Sequence, residues 1–225
     1  MKNTVNFFSY VASDDNEMMA AIFGRKNIDH ENAVLQDYEL CIQTAQNVID
    51  KVLPACSLPI SPRAILTKKR GPEFELYTIR PKKDKNILGT IWYVTQEEYE
   101  YLRNYELIDC GMSEDIAATA ITEKGIKIEV QTYGLKTNVD NITKVVEQNY
   151  VRKEIPSKEK IKSAIRIREE FIKSRNNYTL SIKFSINWLI SCCFSRGSLD
   201  FIFKYSFLTR SACSNIVFLF QIYGS

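Results

Sequence analysis

The stretch ILGTIWYVTQEEYEYLRNYELIDCGM, residues 87–112, constrains the fold of this chain more than any other. Its first eight residues are apolar, β-branched or aromatic with almost no interruption, the pattern of a largely buried strand. Thr95 and Glu98 then form a Thr-x-x-Glu capping box, which satisfies free backbone amides at the start of a helix. Tyr99, Leu102 and Tyr105 give that helix an apolar stripe at helical spacing. Glu106 falls on its last turn, between Tyr105 and Leu107-Ile108, among neighbours that few surface glutamates have.

Further signals surround this unit. A first strand is expected over residues 5–12, followed by a short helix through Met18, Met19 and Ile22. Asp14 and Asp15 can cap that helix, and Gly24 ends it. Val34, Tyr38, Leu40 and Ile42 mark a second strand, and Pro54, Pro59 and Pro62 mark a loop. Phe74 to Ile79 alternates again, with an exposed turn at Pro81-Lys82-Lys83-Asp84-Lys85 before the strand that begins at Ile87. Residues 116–122 and 126–133 read as a hairpin around Glu123-Lys124-Gly125, where glycine allows a positive φ. Strands outnumber helices up to about Leu135, which predicts a small mixed α+β domain closed into a barrel of about six strands.

The remainder differs in character. Residues 137–155 are polar and read as a linker. A second helix is expected over 156–176, with Ile161, Ala164, Ile165, Phe171 and Ile172 on one face. It either packs back on the domain or binds a partner. From Phe171 onward the chain has six basic residues and a single acid, Asp200, so the overall charge of +3 belongs to its end. Residues 177–225 form an aromatic-rich tail holding seven of the twelve phenylalanines. Its apolar runs are too short for a spanning helix, which needs roughly 20 residues. They suit contact with a membrane surface or a protein, or an extension that does not fold.

Composition narrows the chemistry. The six cysteines form no C-x-x-C pair and the only histidine is His30, so a zinc site or a Cys-His nucleophile is hard to assemble. The opening residues do not read as a signal peptide, and reduced thiols in a cytoplasmic protein are expected. The basic residues are not clustered with stacking aromatics, which argues against nucleic acid.

Several short motifs, in order, resemble those of the gamma-glutamylcyclotransferase-like family over roughly residues 5–135. The first strand leads into Tyr10, where the family has a Tyr-Gly-Ser turn. Phe23-Gly24-Arg25 is followed by Ala33-Val34-Leu35-x-Asp37-Tyr38-x-Leu40. Leu88-Gly89-Thr90-Ile91-Trp92 and Leu102-x-x-Tyr105-Glu106 are similar to a family strand and helix end. Thr132-Tyr133-Gly134-Leu135 is similar to its closing strand.

The resemblance implies a small-molecule gamma-glutamyl substrate whose α-amino group attacks its own γ-carbonyl. That reaction releases 5-oxoproline, as an acyltransferase or lyase would, and needs no metal or cofactor. Glu106 would be the catalytic acid/base. Its place at a helix C-terminus beside apolar groups favours the protonated form. Backbone amides of Tyr10, Val11, Ala12 and Ser13 would bind the substrate's oxygens. Val11 stands where the family has glycine. Three readings therefore remain open: an active cyclotransferase, a relative with another gamma-glutamyl or amide substrate, and a non-catalytic interaction protein on the same fold.

Overall fold

The computed structural model describes residues 4–10, 15–56, 58–135, 144–147 and 155–176. The chain is α+β. Strands β1 (Thr4–Ser9), β2 (His30–Thr44), β3 (Glu75–Thr95), β4 (Glu114–Thr122), β5 (Lys127–Gly134) and β6 (Lys144–Val145) form one six-stranded sheet in the order β3-β1-β5-β4-β2-β6. Helices α1 (Asn16–Phe23), α2 (Pro62–Arg70) and α3 (Gln96–Tyr105) interrupt the strands, and α4 covers residues 158–176.

β1 lies antiparallel on β3, with Phe7 opposite Trp92 and Phe8 opposite Ile91. Successive strand side chains point to opposite faces, so this register builds a separate core on each side of the sheet. Phe7, Trp92 and Val94 pack with Met18, Met19, Ile22 and Phe23 of α1 and with Tyr99 and Leu102 of α3. Phe8, Leu35, Leu40, Ile79, Ile87, Ile91 and Val130 pack on the other side. The unbroken apolar run of β3 follows from burial on both faces.

The strands approach too closely for a side chain at Gly89. A Cβ there would lie 2.1 Å from the Ser9 carbonyl oxygen and 2.6 Å from the Phe8 ring. The motif glycine is therefore a packing requirement of the β1–β3 pair.

Two expectations change. The turn at 81–85 is not a break between two strands: these exposed residues lie within β3, and the register with β2 jumps there, with Pro81 opposite Tyr38 and Asn86 opposite Gln36. The break in alternation is a bulge instead, where the register shifts between Gln36 and Tyr38. Asp37 and Asp84 take positive φ there, and the Asp37 carboxylate accepts from the Asp84 amide at 3.0 Å. β2 and β3 also pair with each other, so β3, β1, β5, β4 and β2 follow one another round a closed circuit of pairings, with β1 and β5 bridged at Phe7 and Gln131. The proline-marked loop contains α2, which Ser61 caps by accepting from the Ala64 amide, with Pro62 in the first turn. Proline is pre-organised for that position because its fixed φ suits the helix and its missing N–H is not needed there.

Other elements form as their signals indicate. The Asp15 carboxylate caps α1 and Gly24 closes it at φ 81. The Thr95–Glu98 capping box opens α3. Gly125 turns the β4–β5 hairpin at φ 77. Within the stretch 137–155, β6 adds two residues to the edge of β2.

The chain divides into two compact units, Met1–Phe171 and Ile172–Ser225. In the first, α4 packs on the helical core: Ala164 is buried, Ile161 and Ile165 lie against the cluster, and Arg168 donates to the Ala21 carbonyl. The expected tail, 177–225, lies outside the described residues. Among the described residues no helix is long and apolar enough to cross a membrane.

Gly89→Ala should lower the stability of the chain by about 1–3 kcal/mol, the usual cost of overpacking a fitted site. Urea unfolding followed by circular dichroism measures this. An unchanged midpoint would show that β1 and β3 are not in close contact at Ser9.

Candidate active site

Helix α3 ends at Tyr105, and Glu106 is its C-cap, with its amide bonded to the Leu102 carbonyl at 2.8 Å. The chain then reverses. Leu107 takes a left-handed conformation at φ 56, an uncommon state for a residue with a branched side chain, and a short 3-10 turn over Ile108–Cys110 follows. Arg103 clasps this reversal by pairing with both Asp109 and Asp115, and the Tyr99 hydroxyl donates to Asp115 at 3.0 Å. Position and direction of Glu106 are thus fixed from both sides.

A covalent tie adds to the clasp and corrects the expectation of reduced thiols throughout. Cys56 and Cys110 form a disulfide, so the loop ahead of α2 is bonded to the turn that follows Glu106. The two are 54 residues apart in sequence, and only the fold brings their Cα atoms to 4.3 Å. Sequence spacing carries no sign of such a pair.

Around Glu106 the sheet supplies tyrosines. Tyr133 on β5 hydrogen-bonds the Glu106 carboxylate. Tyr10, at the end of β1, is buried, with its ring 5.5 Å from that of Tyr133 and its hydroxyl donating to the Tyr133 carbonyl at 2.8 Å. Burial raises the Tyr10 phenol first, and the charge of Glu106 raises it further. Tyr105 is pushed up by the same two causes in the same order. The structure therefore brings Tyr10 and Glu106 together. Val11, Ala12 and Ser13 lie outside the described residues.

Glu106 is half-buried, and its carboxyl is pushed up to about 7. Desolvation is the largest cause, because a buried carboxylate loses its water. Tyr133, Lys160 and Arg70 act against it by stabilising the charged form. Burial wins, which leaves a carboxyl able to give and take a proton near neutral pH. His30 has a structural place, stacked on Trp92 with ring centroids 4.5 Å apart.

Three groups at this site escaped the sequence reading. Tyr133 lies in a recognised motif, but only the pairing of β5 aims it at the carboxylate. Arg70 reads as part of a solvated turn, and Lys160 as one more polar position of the expected helix over 156–176. Nothing local distinguishes them, since their approach to Glu106 depends on how two distant helices dock.

The sequence matches no model of a known protein family and no curated protein. Among solved structures it is similar to a gamma-glutamyl cyclotransferase at 15% identity and a TM-score of 0.47, covering 73% of this chain and 99% of that one. An uncharacterized human protein gives 16% identity, a TM-score of 0.47 and the same coverages. A mouse AIG2-like protein gives 16% identity and a TM-score of 0.41, covering 69% of this chain and 98% of that one. These likenesses assign no activity.

The raised carboxyl carries a consequence for stability. In the folded chain Glu106 keeps its proton to about pH 7, whereas a free glutamate loses it near 4.5. Between these values the native state binds a proton that the unfolded state has lost. The group's contribution is fully present below the lower value and disappears as pH rises through the upper one. Glu106→Gln removes this dependence, so its melting temperature relative to wild type should rise between pH 4 and pH 8. Thermal unfolding at the two pH values tests it, and a constant difference would refute the raised carboxyl.

Proposed function

We propose that this protein is a gamma-glutamylcyclotransferase-type enzyme that cyclises a gamma-glutamyl compound by intramolecular aminolysis. The substrate's α-amino nitrogen attacks its γ-carbonyl carbon, and a C–N bond forms as the ring closes. The bond to the leaving amine then breaks, which yields 5-oxoproline and a free amine. Both carbon–nitrogen events are internal to the substrate, so the protein need supply neither nucleophile nor cofactor.

The α-ammonium first gives one proton to solvent to free its lone pair; a second must then leave the attacking nitrogen as the ring closes, and one must reach the departing nitrogen. Glu106 performs both transfers, first as base and then as acid. The observation that carries this reading is a half-buried carboxyl at a helix exit, pushed up to about 7 and held against Tyr133 beside Tyr10. A carboxyl near the operating pH is suited to both roles, whereas an ordinary glutamate would be a poor acid at pH 7. The ordered motifs that end in Tyr105-Glu106 support the same chemistry independently.

Glu106→Gln keeps the shape of the side chain and removes the base. It should lower 5-oxoproline release from gamma-glutamyl substrates by on the order of 100-fold or more. In the wild type, kcat/KM should rise with pH through about 7 as Glu106 loses its proton. Chromatographic assay of 5-oxoproline across a panel of gamma-glutamyl amino acids and amines measures both. Equal turnover by the variant, or a wild type inert on the whole panel, would refute the reading.

A further inference from the structure

The turn that follows Glu106 is held from two sides, and one of the two holds is covalent. On the side of α3, Arg103 pairs with Asp109 and Asp115. On the other side stands the loop between β2 and α2. Its Leu53 packs on the backbone of Gly111, where a Cβ would lie 2.7 Å from the Leu53 Cδ1 and 3.5 Å from the Ile49 Cγ2. Beside this contact the disulfide joins Cys56 of the loop to Cys110, the last residue of the 3-10 turn. Cys110 is buried, whereas Cys56 is half-buried and follows the exposed Pro54 and Ala55. Solvent therefore approaches the bond from the Cys56 side.

The loop has contacts that keep its shape without the bond. Val48 is buried, and the Arg63 guanidinium donates to its carbonyl at 2.9 Å. The Ser61 hydroxyl donates to Asp50 and the Thr44 hydroxyl to the Asn47 side chain, both at 2.8 Å. The turn has weaker support. Its amides bond only within it: Cys110 to the Leu107 carbonyl at 3.1 Å, Gly111 to Ile108 at 2.9 Å and Met112 to Leu107 at 3.2 Å. Gln43 reaches the Met112 carbonyl at 3.5 Å, the limit of a hydrogen bond. The turn also carries Leu107 at φ 56, a conformation that persists only where the surroundings enforce it. Cutting the disulfide would leave the loop in place and free the turn on one side.

We propose that the Cys56–Cys110 bond is a redox latch on the turn that positions Glu106, closed in the oxidised chain and opened by a small thiol. The thiolate attacks the Cys56 sulfur, the S–S bond breaks, and Cys110 leaves as a thiolate that takes a proton. A second small thiol attacks the mixed disulfide and releases Cys56, which is protonated in turn. Two electrons thus pass to the protein, and the two small thiols depart as their own disulfide. With the latch open, Leu107 relaxes from its left-handed state, and Glu106 immediately before it loses its fixed direction. That the reduced chain is the slower enzyme rests on the reading of the reaction given above. The release of the turn does not.

The test compares the full chain oxidised with diamide and reduced with dithiothreitol, the state of Cys56 and Cys110 being read by alkylation and mass spectrometry. On reduction, hydrogen exchange should quicken by about 10-fold or more at the amides of Cys110, Gly111 and Met112, while β1 and β3 stay protected. The kcat/KM for 5-oxoproline release should fall by about 10-fold or more, because a small misplacement of a catalytic group is costly on that scale. Reoxidation should restore both. Cys56→Ser should match the reduced chain and no longer respond to dithiothreitol. Unchanged exchange at the turn would overturn the proposal, as would failure of the two cysteines to pair under diamide or a response retained in Cys56→Ser. Loss of the whole fold by circular dichroism, on reduction or in Cys56→Ser, would make the bond a structural staple and overturn it too. A turn that opens while kcat/KM stays constant would show that the bond does not position Glu106, with the same result. A chain inert on every substrate in both states, whose turn still opens and closes, would refute the reaction and leave the latch standing.

Discussion

The pairing of β1 with β3 sets the conditions for everything else in this structure. Phe7 and Phe8 point to opposite faces, as do Trp92 and Ile91 across from them, so a single strand pair nucleates two cores. A slip of one residue would exchange the faces and place Phe7 where Phe8 now fits. Gly89 allows the strands to approach at Ser9, and the Trp92 indole donates to the Ser9 hydroxyl at 2.9 Å. That pair fixes where β1 ends, and Tyr10 follows directly. It also fixes where α3 begins, because Thr95 is both the last residue of β3 and the cap of the helix. The two ends of the site thus descend from one register.

The chemistry of Glu106 is the outcome of opposing effects. Burial pushes the carboxyl up, while Tyr133, Lys160 and Arg70 pull it back towards the ordinary range. A fully apolar pocket would leave a carboxyl too weak to act as an acid at neutral pH, and a solvated one would leave a base too weak to accept the proton. The intermediate position arises because elements far apart in sequence each add a modest contribution.

Holding such a carboxyl in place requires a rigid turn. The chain after Glu106 passes through Leu107 in a left-handed conformation, a state that costs free energy unless its surroundings enforce it. The ion pairs of Arg103 and the Cys56–Cys110 disulfide enforce it here. The strain lies next to the candidate catalytic group, where fixed direction matters most.

Local signals were sufficient for much of the framework. The capping box at Thr95, the cap at Asp15, Gly24 closing α1 and Gly125 turning the hairpin all act within a few residues, so the sequence determined them by itself. Glu106 was legible for the same reason: helix spacing placed it at an exit among apolar neighbours. What depended on distant contacts was not legible. Residues 81–85 stay within one strand because β2 pairs with β3 on both sides of them, up to Pro81 and again from Asn86, and that pairing joins residues far apart in sequence. Ser61-Pro62 did carry a helix start, but it was obscured by the prolines around it. The Cys56–Cys110 bond, the aim of Tyr133 and the approach of Arg70 and Lys160 were decided only in three dimensions. Disulfides and electrostatic fields depend on distance in space, and the order of residues along a chain does not state that distance.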